Sequence, residues 1–295
     1  MVGSAMARVK SVEAWEYSKN NLTTSDRETE VFSILKFSYD QLPDKTLQKC
    51  SLYCALYPED YEIQVSRLID KWIGEGFLYN ERMRSGHDMC SHGGSIIETL
   101  KPSCLSEKVK DNIFLERSVK MHDVICDMAL WIACDEGRNK LKVAVQEDGW
   151  AMSQANVKDY GMVETISIMK GVEPWIQSIA WTNLTTLLLK FDTPDTIYGL
   201  GNIQYARQLK VLELFATKRV PIPTEIGGLN HLEYLSLVNF KLTNAPDIWR
   251  ELENLKNLKV FNLSADHIRV TPLGLIPNLQ QVKVCRLISI CNSAK

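Results

Sequence analysis

Hydrophobic residues in the second half of the chain follow a pattern that repeats. From about residue 160 the spacing L-x-x-L-x-L recurs, and its first copy, Val163-Ile166-Ile168, is degenerate. The later copies start 21, 25, 23, 26 and 21 residues after the copy before them. A period of about 20–29 residues predicts stacked units that each contribute one short strand, because a single unit cannot bury its own apolar face. The five clearer copies are Leu184-Leu187-Leu189, Leu209-Leu212-Leu214, Leu232-Leu235-Leu237, Leu258-Phe261-Leu263 and Leu279-Val282-Val284.

These features are typical of leucine-rich repeats, in which alternate strand residues enter the core and the others line a concave, ligand-facing sheet. A mixed polar and aromatic surface suits protein recognition, because aromatic side chains carry much of the binding energy at interfaces. The chain stops a few residues after the last strand without a polar cap, so we expect an array truncated at its C-terminus. The candidate recognition residues on the concave face are Lys190, Lys210, Glu213, Phe215, Glu233, Tyr234, Asn262, Gln280 and Lys283.

The first half of the chain follows helical spacing instead. Residues 1–22 predict the end of a helix, and a polar break with a capping serine or aspartate follows. Later helices are predicted from Val31 to the stop at Leu42-Pro43, from Asp44 to just before Pro58, from Val65 to Glu75 and from about Gly93 to Leu100.

The period changes after Pro102. Cys104-Leu105 and Ile113–Leu115 predict the strands of a small hairpin, and Val119–Met121 predicts a further extended segment. We expect Asp123 to be the N-cap of the next helix. Helices, a β-wing and a terminal helix are the order of a winged-helix domain. The apolar stripe of that last helix consists of Val124, Ile125, Met128, Ile132 and Ala133.

The fold class is therefore an α-rich winged-helix-like domain followed by an α/β leucine-rich-repeat solenoid with parallel strands on its concave face. We assign residues 1–27 to a remnant helix of a preceding helical subdomain and residues 28–140 to the winged-helix-like switch domain. Residues 141–160 are assigned to a linker and residues 161–295 to the repeats.

Composition narrows the class of protein. The 295 residues carry a net charge of −2, with 45% hydrophobic and 24% charged residues, which excludes disorder and gives no basic field for nucleic acid or a membrane surface. We expect no membrane span and no secretory signal. The eight cysteines form no CxxC pair, which fits an intracellular protein without a disulfide framework. His87, Cys90 and His92 are the tightest metal-like cluster, but we expect an ordinary loop there and no metal site.

Four strings in the first half resemble plant nucleotide-binding (NB-ARC), leucine-rich-repeat disease-resistance proteins of the coiled-coil class. They occur in the order and at the spacings of that family, and the resemblance extends to roughly Cys285. The strings are VFSILKFSYDQLP (31–43), KCSLYCALYPEDYEI (49–63), LIDKWIGEGFL (68–78) and VKMHDVICDMALWIA (119–133).

The resemblance implies a nucleotide-driven switch in which a Met-His-Asp triplet ends the wing. His122 would contact the terminal phosphate of bound ADP, and Asp123 would orient that loop and cap the following helix. An imidazole N–H is a directional donor to a phosphate oxygen. The intact family exchanges ADP for ATP, recognises a pathogen effector or a host target protein, and contacts the other domains of its own receptor. It acts in defence from the cytoplasm, or peripherally at the plasma membrane.

The chain departs from this family in several places. It contains no Gly-Lys dipeptide, and therefore no phosphate-binding G-x-x-x-x-G-K-[ST] loop, so we expect a fragment without the nucleotide-binding core and without a cofactor of its own. Pro102 and the Ser106–Asn112 stretch are also less apolar than the wing of the family, which leaves the register of the wing open.

Three other classes of protein fit the sequence less well. A winged-helix DNA-binding protein would need a basic recognition helix, but Ser66–Lys71 offers only Arg67 and Lys71 against Asp70. A repeat-bearing interaction adaptor, such as an F-box protein, would not explain the winged-helix strings. We expect no enzyme, because no catalytic Ser/His/Asp or Cys/His set can be placed at a common site from the sequence.

Overall fold

The computed structural model describes most of the chain from residue 27 onward. The remnant helix predicted before that residue lies outside the described part. Within the part that is described, no helix is both long and apolar enough to cross a lipid bilayer. The described ranges are 27–59, 61–79, 85–108, 117–135, 142–146, 163–169, 182–191, 200, 202–242, 245–265 and 279–289.

The first half contains five helices among the described residues. The carboxylate of Asp44 caps α2 by accepting the N–H of Leu47 at 2.8 Å, which fixes the start of that helix after the Pro43 turn. The winged-helix domain expected from the sequence is confirmed. The helices are α1 (Arg27–Asp40), α2 (Lys45–Cys54), α3 (Val65–Gly74), α4 (Gly86–Leu100) and α5 (Asp123–Ala133).

Helix α4 begins about two turns earlier than the sequence suggested. The hydroxyl of Ser85 accepts the N–H of Asp88 at 3.1 Å, and the carboxylate of Asp88 accepts the N–H of Ser85 at 3.4 Å, so both ends of a capping box are present. His87, Cys90 and His92 therefore lie on a helix, and the loop expected there was wrong. No group of three metal-ligating side chains occurs among the described residues.

The described residues of the wing form a three-stranded antiparallel sheet in the order β1-β3-β2. Its strands are β1 (Ile63–Gln64), β2 (Leu105–Lys108) and β3 (Ser118–Met121), and Leu105 lies opposite Met121. The predicted strand Ile113–Leu115 lies outside the described residues. Asp123 is the first helical residue of α5 rather than its N-cap, because the extended backbone and the carbonyl of His122 occupy the cap position.

Among the described residues, the strands of the second half form a seven-stranded, all-parallel sheet in chain order. Leu187, Leu212 and Leu235 stand in register on neighbouring strands, which confirms the predicted repeat. The strands are β4 (Val143–Gln146), β5 (Thr165–Ile168), β6 (Thr186–Phe191), β7 (Val211–Pro221), β8 (Tyr234–Lys241), β9 (Val260–Ala265) and β10 (Val284–Ser289).

The sheet begins earlier than predicted. β4 lies within residues 141–160, which the sequence assigned to a linker, and it pairs with β5 from Val143 opposite Thr165 to Gln146 opposite Ile168. Its Val-Ala-Val alternation lacks the leucine spacing of the later copies, so the repeat pattern alone could not reveal it.

One face of the sheet packs against short helices on the convex side. Two 3-10 helices (Ile203–Tyr205 and Thr224–Gly228) and α6 (Ala245–Leu252) cover the leucines that point inward from the strands. Leu187, Leu212 and Leu235 are fully buried there. The opposite, concave face of the sheet is turned towards the winged-helix domain.

Replacing Leu212 with alanine is expected to destabilise the repeat array by about 2–5 kcal/mol, because it opens a cavity in a core without solvent contact. Thermal or denaturant unfolding of the variant measures this loss. The control is Lys218→Ala, an exposed position on the same strand, which should leave the unfolding midpoint nearly unchanged. An unchanged midpoint for Leu212→Ala would contradict the packing described above.

Candidate functional site at the interface of the two halves

The concave face presents its side chains in straight rows, because parallel strands in register place one residue of each repeat at the same height. One row, here called the central row, continues across the sheet through directly paired positions. The row beside it, here called the near row, consists of the residues two positions earlier on the same strands. The central row is Val145, Ser167, Leu188, Glu213, Ser236, Asn262 and Arg286; the near row runs through Thr186, Val211, Tyr234, Val260 and Val284.

Helix α3 of the winged-helix domain lies against these two rows. It contacts β8 and β9. Leu188, Val211, Tyr234 and Val260 of the concave face belong to the same buried apolar cluster as the winged-helix core. The middle of the concave face is therefore an interface between the two halves of the chain and is closed to solvent.

Close approach of the helix depends on Gly74. A Cβ atom at this position would lie 2.4 Å from the Cβ of Tyr234, well inside van der Waals contact. Tyr234 is itself fully buried. Helix α3 can lie this near to β8 only because residue 74 has no side chain.

Lys71 of α3 forms a buried ion pair with Glu213 of the central row. The distance between Nζ and Oε2 is 2.8 Å, and the two side chains are 1% and 11% exposed. Tyr234 donates its hydroxyl to the same carboxylate at 2.9 Å. The Nζ atom also lies 5.6 Å from the ring centroids of Tyr57 and Tyr234, within the range of cation–π attraction.

Both members of this pair are charged. Burial alone would lower the pKa of Lys71, but the attraction of Glu213, its hydrogen bond and the influence of Tyr234 together outweigh burial, and the pKa is raised. Burial would likewise raise the pKa of Glu213, but Lys71, Arg67 and the hydroxyl of Tyr234 together outweigh burial, and the pKa is lowered. The pair is thus an ionic contact in a site from which water is largely excluded.

Asp70, the residue before Lys71, pairs with the other end of the central row. Its side chain is fully buried and accepts from Arg286 through Nε at 2.9 Å and Nη2 at 3.1 Å. Asn262 donates to the same carboxylate at 3.2 Å. The two neighbouring charges of α3 therefore each find an opposite charge on the repeats, Asp70 on β10 and Lys71 on β7.

Two further contacts flank the ion pairs. The hydroxyl of Ser167 donates to the carbonyl of Leu56, and the hydroxyl of Thr186 donates to the carboxylate of Glu75, just after α3. Burial raises the pKa of Glu75 to about 7, while the hydrogen bond from Thr186 acts in the opposite direction. Glu75 is therefore a carboxyl group whose charge is costly at this interface.

Docking of α3 divides the predicted recognition residues into buried ones and accessible ones. Glu213 and Tyr234 are buried beneath α3, so the expectation that they face a ligand is wrong for this arrangement. Asn262 is half-buried and bonded to Asp70. Of the others, Lys190 lies over the Phe215 ring at 5.6 Å, Glu233 pairs with Lys259, and Lys210, Gln280 and Lys283 are exposed.

Sequence reasoning missed Glu75 and Arg286, and it considered Asp70 and Lys71 only as charges of a helix that is not basic enough to bind DNA. Leu188, Val211 and Val260 stand on the same face as Glu213, and three apolar residues there were a signal that the face is covered. The charged pair inside the apolar string LIDKWI was a second such signal.

His122 and Asp123 lie at the junction of β3 and α5. His122 is half-buried and its side chain makes no capping hydrogen bond, while Asp123 is exposed. The carbonyl of His122 accepts the N–H groups of Ile125 and Cys126, both at 2.9 Å. The junction therefore offers one imidazole and the first turn of a helix.

Residues 56–129 match the family model described as the disease resistance protein winged helix domain. Disease resistance protein RPS5 of Arabidopsis thaliana is 33% identical over 99% of this chain and 32% of its own length. Disease resistance protein UNI of the same plant is 32% identical over 98% of this chain and 32% of its own length. The chain thus spans about a third of the length of the curated relatives it matches.

Replacing Glu75 with glutamine should remove a pH dependence of stability. The folded protein holds this proton up to about pH 7, whereas an unfolded glutamate loses it near pH 4.5, so stability falls as pH rises between these values. Relative to the wild type, Glu75→Gln is expected to be more stable at about pH 8 and to lose that advantage below about pH 5. Unfolding midpoints across this range measure the difference.

The control for this experiment is Glu164→Gln, which changes an exposed glutamate at the start of a neighbouring repeat strand. It should show the same pH profile as the wild type. A constant difference between Glu75→Gln and the wild type at all pH values would contradict the titration of Glu75 in this range.

Proposed function

The chain belongs to the plant disease resistance protein family, and from this premise we propose that it is the switch and repeat module of an intracellular plant immune receptor. The observation that carries the proposal is the docking of α3 on the concave face through Asp70 and Lys71. In this proposal the repeats hold the winged-helix domain in one orientation and restrain the receptor until a pathogen effector or a host target protein is recognised.

The contacts between α3 and the repeats are of a kind that can hold the winged-helix domain in one orientation. Separating Lys71 from Glu213 leaves a buried charge without its partner, which costs about 3–5 kcal/mol. Separating Asp70 from Arg286 costs less, because the Arg286 side chain is 41% exposed and can be hydrated. Removal of the whole helix into water lets both pairs be solvated, so the electrostatic part of the cost is lower for complete release than for a partial displacement. The interface therefore favours two discrete states, docked and released.

A nucleotide-sensing role for His122 is part of the proposal. The junction before α5 supplies one imidazole donor and a helix N-terminus, which suit a single terminal phosphate group. They do not make a cradle for a polyphosphate, which needs several backbone donors and a lysine. His122 would accordingly sense an ADP held mainly by other parts of the receptor, with Asp123 exposed beside it at the first turn of α5.

The rival functions find less support. A DNA-binding role would use α3 as the recognition helix, but Lys71 of that helix is buried against the repeats. An adaptor function would not explain why the chain contains a winged-helix domain. Residues on the rim of the concave face, Lys190, Phe215 and Lys283 among them, are more accessible to a partner protein than the central row.

Reversing either charge of the Lys71–Glu213 pair is expected to release α3. Lys71→Glu and Glu213→Lys should each destabilise the protein by about 3–5 kcal/mol, because each buries two like charges, and the double variant should recover much of the loss. Thermal unfolding measures stability, and hydrogen exchange in the α3 and β7 amides reports the docking itself.

The matched control reverses Lys259 and Glu233, a more exposed ion pair at the rim of the same face. Its single reversals should cost less than about 1 kcal/mol. Equal costs for the two pairs, or no recovery in the Lys71→Glu/Glu213→Lys double variant, would contradict the docking proposal.

The chain by itself is expected to bind Mg-ADP weakly. One hydrogen bond from His122 to a charged phosphate is worth about 1.5–3 kcal/mol, whereas micromolar affinity requires about 8 kcal/mol. Isothermal titration should therefore give a dissociation constant well above about 1 μM. Low-micromolar binding that His122→Ala abolishes would show that the chain builds a nucleotide site of its own.

A further inference from the structure

We propose that the concave face is a docking site for an amphipathic helix of a partner protein that carries the motif Asp-Lys-x-x-Gly and replaces α3. The inference rests on the proposed function, since it names the chemistry of the partner that would release the winged-helix domain. The motif is the one that α3 presents to the repeats at Asp70, Lys71 and Gly74.

The vacated face imposes this chemistry on any occupant. Glu213 and Arg286 stand in the same row with opposite charges, and each has its partner on α3. A helix that covers them without a lysine would bury Glu213 without a counter-charge, which strongly disfavours binding. Without an acidic residue it would also forgo the two hydrogen bonds that Arg286, whose side chain is 41% exposed, makes to the carboxylate of Asp70. The occupant must therefore supply a lysine, and an acidic residue beside it makes the match to the row complete.

The face also determines the orientation of the bound helix and the size of one of its residues. The lysine must face Glu213 and the acid must face Arg286, so a helix with the order Lys-Asp would place like charges together. One turn after the acid, the helix must have a glycine, because any Cβ there meets Tyr234. These constraints define a short, oriented sequence motif and distinguish it from general apolar binding.

While α3 is docked, one polar atom of the concave face has no hydrogen-bond partner among the described residues. The Oδ1 atom of Asn262 is buried and has no hydrogen-bond partner among the described residues, although its Nδ2 atom bonds Asp70. A partner helix with a donor within reach of Oδ1 would make a contact that α3 does not make. Such a helix could compete with α3 even though α3 is tethered to the same chain.

A second copy of this chain is a less suitable occupant. The opposite face of its α3 is buried in its own winged-helix core, where Leu68 and Trp72 are fully enclosed. A second copy would therefore have to open its own interface before it could supply the helix. A partner that displays the motif on an exposed helix has no such requirement.

The experiment measures binding of a helical peptide to the complete chain. The probe is a fluorescent, side-chain-stapled helix that copies residues 63–76 and has alanine at the positions that face the winged-helix core. The control probe exchanges only the order of the aspartate and the lysine. Gly74→Ala opens the interface in the host protein, and Gly94→Ala is its matched control, because a Cβ at residue 94 meets nothing within 4 Å.

The probe should bind the Gly74→Ala chain at least about tenfold more tightly than the wild type or Gly94→Ala, and the exchanged probe should bind about tenfold more weakly. Adding Glu213→Lys to the Gly74→Ala chain should abolish binding of the original probe. Should Gly74→Ala fail to fold, Lys71→Ala is the second way to open the interface while Glu213 and Arg286 remain on the repeats.

Hydrogen exchange in the α3 amides distinguishes a failure of the partner-helix motif from a failure of the docking proposal. If α3 opens in these variants but the two probes bind equally or not at all, the motif is wrong and the docking proposal stands. If α3 opens in neither variant, the docking proposal fails and this inference fails with it. If the opened chain forms dimers that the probe does not dissociate, a second copy occupies the face and the assignment to a partner protein is overturned.

Discussion

Two adjacent residues of one helix, Asp70 and Lys71, carry opposite charges into a buried interface, and each meets its counter-charge on the repeats. This arrangement fixes both the position and the direction of α3 on the concave face, since a turn of the helix in either sense would separate one pair. Apolar contacts around Val211 and Tyr234 add buried area to the interface but do not determine the orientation of α3. The charged pairs supply the specificity, at a cost in desolvation that only complete pairing offsets.

The repeat architecture makes this interface possible. Parallel strands about 4.8 Å apart place Glu213, Asn262 and Arg286 in one row, so that a single helix can reach residues from β7 to β10 at once. A defect in the stacking of any one of these repeats would misplace part of the row. Stability of the array and docking of the winged-helix domain are therefore coupled, and recognition at the rim of the face could influence the switch through the same strands.

Local patterns were sufficient to predict the repeats and most of the winged-helix elements. Leu187, Leu212 and Leu235 repeat a spacing that has one structural solution, and the resemblance to disease resistance proteins agreed with it. The contacts of α3 could not be predicted in this way, because Asp70 and Arg286 are 216 residues apart and alternation along a strand shows which side chains share a face but not what covers it. The sequence therefore predicted a concave surface correctly, but it did not predict that the middle of that surface, at Glu213 and Tyr234, is covered.

The chemical reactivity of the lysines in the wild-type chain tests the central claim most directly. A brief treatment with an amine-reactive reagent, read by mass spectrometry and normalised to the unfolded chain, compares Lys71 with the exposed Lys218 and Lys256. Lys71 is expected to react far more slowly than either, because its ammonium group is enclosed by Glu213 and two tyrosine rings. Modification of Lys71 at the rate of Lys218 would show that α3 is not docked on the repeats and would contradict the account.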